Sequence, residues 1–313
     1  MSKPLLNKGF TPLSQLSVFL GIWGACFILA VFATLGISLL GGLSLTDTGA
    51  LLKPENRNLM VATQVASTFF VFGLPAVGFS FVCYRNGWDA LGLGKGWEWK
   101  AAMLAILIML VSGPLTENLG ELNKAIPLSE KWRNYFDSME KTYEAQVKSM
   151  LNVKTVKGLL ASLVLVAALP ALFEELFFRG GMQGLFMRWL KRPWLAILIT
   201  SLIFSAIHFS WYGFIPRVML GVVLGVVYYS TGNLWYSILM HFVNNAAAVL
   251  YMYVLQQQGK AVEISNVTVF PGWAWSVSLV LMVILIMQLL KISKPEPVKE
   301  ILQKRNAPFE TNP

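Results

Sequence analysis

Charge is scarce in this sequence. Asp, Glu, Lys and Arg together make up 13% of 313 residues, against about 25% in an ordinary soluble domain. With 56% hydrophobic residues and a mean hydropathy of +0.59, that scarcity excludes a conventional soluble fold and points to a chain that crosses a membrane several times. Cysteine is nearly absent. Cys26 and Cys83 both lie in apolar runs, which excludes a disulfide framework. No internal repeat stands out, so the usual sign of a transporter built from repeated halves is missing. No A-x-A-like site follows the first apolar stretch in the usual place, and that stretch is expected to be a retained first span. The net charge of +9 is read as basic loops against an anionic membrane surface, with no nucleic-acid partner.

What is there is apolar and long. A span needs roughly 20 apolar residues to cross a hydrocarbon core of about 30 Å. The expected fold is all-α and polytopic, with spans near 16–41, 60–84, 100–118, 157–178, 194–212, 214–230, 234–256 and 270–290. Short breaks at 191–194, 211–217 and 230–233 divide the later ones. The segment 119–156 is different: Trp132, Tyr135, Phe136, Met139, Tyr143 and Val147 recur at three- and four-residue spacings between charges. That pattern predicts an amphipathic helix, lying on the membrane or capping the bundle, either as a solvated connector or as a substrate gate. Eight spans put both termini on one side, and the lysines and arginines there, tail included, place that side in the cytosol.

Against this background the stretch "ALPALFEELFFRGG" is out of place. An ionisable group inside a membrane carries an insertion penalty of roughly 2.5–3.5 kcal/mol and is a functional candidate by default. Glu175 and Arg179 are spaced i, i+4 with Glu first, the favourable order for an ion pair. Glu174 points about 100° away from Glu175 and is left free to face a cavity. The only two histidines, His208 and His241, both fall in expected spans. Phe204 and His208 are i, i+4, as are His241 and Asn245, whereas Asn244 is turned away and is expected to serve packing or a helix–helix hydrogen bond. An antiparallel hairpin turning at "KRP" would bring Glu174 and His208 to one depth. A simple span at 157–178 would not, so the chain is expected to bend or break at Pro170 or at Gly180–Gly181.

Three short motifs now stand in order: "EELFFR" as EExxxR, "FSAIH" as FxxxH and "HFVNN" as HxxxN. Together they resemble the CAAX prenyl endopeptidase and bacteriocin-processing (CPBP, Abi) family of intramembrane proteases, over about residues 160 to 250. The resemblance implies about eight transmembrane helices around an intramembrane polar cavity. It also implies that Glu174 and His208 activate a water, that His241 and Asn245 hold the oxyanion, and that Glu175, Arg179 and Phe204 support them. The implied organisation is an N-terminal helical part (1–155), a catalytic core (156–256), and a last span with a basic tail (257–313).

The chemistry is consistent with that family. Hydrolysis by water needs a base for its proton and donors for the oxyanion. Glu174, His208 and His241 also form a His₂Glu set that suits zinc, so a metal-free mechanism and a Zn²⁺-dependent one are both expectations, the metal-free one preferred. Neither Ser205 nor Ser210 shares a helix face with His208, which argues against a serine nucleophile. The expected partners are the lipid bilayer and a peptide or protein substrate, prenylated or otherwise membrane-bound, cut near its C-terminus. For a bacterial chain the plasma (inner) membrane is the expected location. The competing classes are a silent immunity or assembly factor of the same family and a proton-coupled transporter.

Overall fold

The computed structural model describes residues 7–44, 47, 49–151, 153–259 and 270–293. Those residues build a helical bundle: α1 (Pro12–Leu40), α2 (Pro54–Cys83), α3 (Trp99–Lys124), α4 (Glu130–Met150), α5 (Val156–Leu190), α6 (Pro193–Ala206), α7 (Phe214–Thr231), α8 (Leu234–Gln257) and α9 (Ala274–Ser293). Seven of these are long and apolar enough to cross a membrane, and α6 is a shorter apolar helix. The protein is a multi-pass integral membrane protein. Lys3 and the basic tail, which entered the expected topology, lie outside the described residues.

Hydrogen bonds fix which helix ends meet. At one end the Lys8 N–H donates to the Cys83 carbonyl, the Leu234 N–H to Gly92 and the Lys95 ammonium to Thr231. At the other end Arg57 donates to the Met150 carbonyl and Gln257 to the Lys154 carbonyl. The amphipathic α4 lies at this second end. It is shorter than the expected 119–156, because residues up to Lys124 continue α3 and "PLS" separates the two helices.

The expected span at 157–178 is corrected. Helix α5 runs unbroken for 35 residues, about 52 Å at 1.5 Å per residue. Neither Pro170 nor Gly180–Gly181 breaks it. Instead the helix winds wider over Leu163–Ala168 and Leu176–Gln183, where the turns are π-helical. A proline removes one N–H and crowds the carbonyl four residues back, and a π turn just upstream opens that crowded side. The same device recurs in α2, where Phe69–Gly73 is π-helical ahead of Pro75.

A chain of aromatic contacts leads from the outer helices to the centre. Phe19 meets Phe79 at 5.2 Å and Phe177 at 5.0 Å; Phe177 meets Phe178 at 5.1 Å, and Phe178 meets Phe204 edge-on at 5.2 Å. Each such pair adds about 0.5–1.5 kcal/mol beyond burial. Helix α7 then packs against α5 through two glycines. Arg179 donates to the Gly221 carbonyl at 3.2 Å and Gln183 to the Gly225 carbonyl at 3.0 Å. A side chain at Gly225 would meet the Gln183 carboxamide and Ile197 at under 3 Å, so this G-x-x-x-G spacing permits the close approach.

Candidate active site

Glu174 sits sixteen residues before the end of α5, and His208 fifteen after the start of α6, so each lies roughly 24 Å from the α5–α6 turn at 1.5 Å per residue. The depth conflict in the sequence thus disappears: one long helix followed by an antiparallel partner brings them level. The expected span 194–212 is also corrected, because α6 ends at Ala206 and His208 lies just past its last turn. Phe209, with φ of 50°, turns the chain away there, a conformation uncommon for a non-glycine residue. Asn123 on α3 clamps the departing turn, donating to the Trp211 carbonyl at 2.8 Å and accepting from the Ile215 N–H at 3.0 Å.

The two acids divide as their helix positions predict. Glu175 Oε1 forms a fully buried ion pair with Arg179 Nη1 at 2.5 Å. It also meets His241 Nδ1 at 2.9 Å, a contact that joins α5 to α8 and that sequence spacing does not signal. Glu174 instead lines the cavity. Its Oε2 is 3.9 Å from His208 Nε2 and 3.9 Å from His241 Nε2, and it has no hydrogen-bond partner among the described residues.

The protons on the two rings follow from their neighbours. His208 Nδ1 lies 2.8 Å from the Phe204 carbonyl. A carbonyl only accepts, so Nδ1 carries the proton and the neutral ring turns an Nε2 lone pair towards Glu174. His241 Nδ1 faces the Glu175 carboxylate, which also pairs with Arg179, so it donates to Glu175, and its Nε2 also faces Glu174. The Phe204 ring, 1% exposed, stacks edge-on against both imidazoles at 5.1 and 5.7 Å. Arg179 lies over the same ring at 4.7 Å.

Asn245 lines the cavity beside His241. Asn244 lines it too, although the helix spacing turns it away from His241. It donates Nδ2–H to Asn245 Oδ1 at 3.2 Å, which occupies the Asn245 carbonyl and leaves the Asn245 amide N–H groups available. Ser205 and Ser210 are committed elsewhere, donating to the Phe214 carbonyl and to Glu140 Oε2.

Two chambers meet at Glu174 and His208. The one beneath α4, about 490 Å³, is lined by Tyr135, Ser138, Thr142 and Phe209 among others. The other, about 310 Å³, has an apolar wall that includes Leu165, Val166, Val249 and Met252. Helix α4 therefore covers the site instead of lying apart from it. Tyr212 Oη bonds Asp137, Ser210 Oγ donates to Glu140 at 2.8 Å, and Phe136 stacks on Trp211 at 4.5 Å. The bond to Asp137 pushes the Tyr212 phenol up to about 12.

No trio of His, Cys, Asp or Glu among the described residues is drawn together tightly enough to hold a metal ion. Zinc ligands at about 2.0–2.1 Å stand closer to one another than 3.9 Å in a tetrahedron.

Residues 156–247 match the family model described as Type II CAAX prenyl endopeptidase Rce1-like. No curated protein matches the chain, and no solved structure does.

Proposed function

We propose, with the match of residues 156–247 to the Rce1-like CAAX prenyl endopeptidase family model as support, that this chain is a membrane endopeptidase that hydrolyses a peptide bond with a water held between Glu174 and His208. The observation that carries this reading is the unpartnered Glu174 Oε2, 3.9 Å from two imidazole Nε2 atoms. Glu174 Oε2 and the His208 Nε2 lone pair converge in a buried space and need a donor between them, and a water about 2.8 Å from each fits there.

The steps follow from the protonation states. Water gives one hydrogen bond to His208 Nε2, which orients it, and its other proton passes to Glu174 as the oxygen attacks the scissile carbonyl carbon. The carbonyl π electrons move to oxygen. That oxyanion lies against the Asn245 amide and against His241 Nε2–H. His241 can donate from Nε2 only as the imidazolium, because its Nδ1–H already goes to Glu175, and the carboxylate stabilises that charge. Collapse of the tetrahedral species breaks the C–N bond, and Glu174 returns its proton to the leaving amine.

The substrate class is a membrane-associated peptide or protein, prenylated or otherwise lipid-bound, since the apolar chamber lies at membrane depth. Both termini are assigned to the cytosol, from the lysines and arginines at that end of the bundle.

A second reading uses the same three groups to hold Zn²⁺. It is favoured by the fixed Nδ1 atoms, since metal-ligating histidines usually donate their second nitrogen to a carbonyl or carboxylate. One experiment tests both readings. Wild type and Glu174→Gln are purified and assayed on a quenched fluorescent CAAX-like peptide with and without a strong chelator. We expect loss of activity in the variant and none from the chelator. Equal activity in the two proteins would remove Glu174 from the chemistry. Loss in chelator with recovery on adding zinc would establish the metal reading.

A further inference from the structure

Two arginines of the membrane-spanning helices, Arg179 and Arg217, stand near Glu174, and the fold treats them differently. Arg179 is fully buried and ion-paired with Glu175. Arg217, on the first turn of α7, lines the same chamber as Glu174, His208 and His241, yet no carboxylate among the described residues pairs with it. Its contacts are the Ser210 carbonyl at 3.2 Å, Ser210 Oγ at 2.9 Å and the face of Tyr143 at 5.1 Å. Glu140 is one hydroxyl removed, bonded through Ser210. Two of the five guanidinium N–H donors are thus used, and the remaining three have no acceptor among the described residues.

A cation at membrane depth is costly, and it is usually paired or placed where a substrate will meet it. We propose that Arg217 receives the free C-terminal carboxylate of the peptide substrate, which makes the enzyme selective for a bond close to a chain end. The inference rests on the peptidase reading above and deepens it. A guanidinium presents parallel N–H donors that match a carboxylate. Backbone donors are no substitute here, because the Ile215 N–H is taken by Asn123 and the Arg217 N–H by Gly213. The apolar wall at Leu165, Val166, Val249 and Met252 accommodates hydrophobic side chains just before that carboxylate. The scissile carbonyl must then lie at Glu174, so the separation of Arg217 from the Glu174–His208 pair sets how many residues are removed.

The competing role for Arg217 is purely structural, fastening α4 through Tyr143 and Ser210. Two otherwise identical quenched peptides, one ending in a free acid and one in a carboxamide, separate the roles. Wild type is expected to cleave the acid with at least about tenfold higher kcat/KM, mainly through KM, the usual effect of losing one charged hydrogen-bond partner. Arg217→Gln brings the acid-to-amide ratio to near one, and Arg217→Lys retains part of it. A structural role would lower both peptides together and leave the ratio unchanged, which would overturn the proposal. So would equal cleavage of both peptides by wild type. Binding of the same labelled peptides to Glu174→Gln protein reads the preference without turnover: tighter binding of the acid, lost on adding Arg217→Gln, is expected. Acid-selective binding without cleavage by wild type would refute the peptidase reading and leave the carboxylate site standing. Cleavage without any acid preference would do the reverse.

Discussion

Glu175 and His241, 66 residues apart on α5 and α8, share a 2.9 Å contact that is fully buried, and Glu175 holds Arg179 at the same time. One carboxylate therefore supports both a structural cation and the ring assigned to the oxyanion. Replacing Glu175 by Gln leaves Arg179 buried without its counter-charge, a loss of about 3–5 kcal/mol. Thermal unfolding of the purified variant in detergent should show it. The double variant Glu175→Gln with Arg179→Met removes the stranded charge and should regain much of the stability. It should not regain activity, because His241 has still lost its carboxylate. Recovery of activity together with stability would mean that Glu175 serves the fold alone.

Asn245→Ala should lower kcat by about 10²–10³ with little change in KM, the usual effect of removing one oxyanion donor. Asn244→Ala acts through Asn245, whose amide it orients, and should cost less. Steady-state kinetics on one peptide decides it, and an equal fall in the two variants would contradict the assigned order.

Tyr212→Phe removes the phenol that ties the α6–α7 turn to Asp137 on α4. Hydrogen exchange over Glu130–Met150 should rise about tenfold or more, as expected for losing one bond to a charged group. The phenol is raised to about 12 by that bond, so its contribution is fully present below the ordinary tyrosine value of about 10. It is lost only as pH climbs through about 12. On this account α4 protection in wild type should not change between pH 6 and 9 through Tyr212, and a change that Tyr212→Phe abolishes would refute it.

Topology is open to thiol labelling, since both native cysteines are buried. Lys100 and Lys131 are exposed at opposite ends of the bundle. With the termini cytosolic, a membrane-impermeant maleimide should label Lys131→Cys in intact cells and Lys100→Cys only after permeabilisation. The opposite pattern would invert the assignment.

The Glu175–Arg179 pair and the separate facing of Glu174 were legible in the sequence because both depend on local helix geometry. The contact between Glu175 and His241 was not, because it depends on how α5 and α8 pack. The way Glu174 comes level with His208 was misread for a different reason, since a bend was expected where α5 runs on unbroken. Hydropathy marks where a chain is apolar but not where a helix ends, and α5 is far longer than a membrane is thick. Arg217 escaped notice for the same reason, since "WYGFIPR" reads as punctuation between spans although its arginine belongs to the first turn of α7. The apolar face of α4 was found by its spacing, but spacing could not say that Tyr143 and Val147 would roof a cavity instead of meeting lipid.

The wide turns of α5 make that helix unusually sensitive to a change in pitch. Closing the Leu163–Ala168 stretch to ordinary α-helical pitch with all its residues kept would rotate everything after it by about 100°, roughly one residue's turn. Glu174, Glu175 and Arg179 would turn together, and the carboxylate that now faces the cavity would be carried out of reach of His208. Residue swaps that keep the stretch wide should be tolerated far better than swaps that close it, because its pitch indexes the active site.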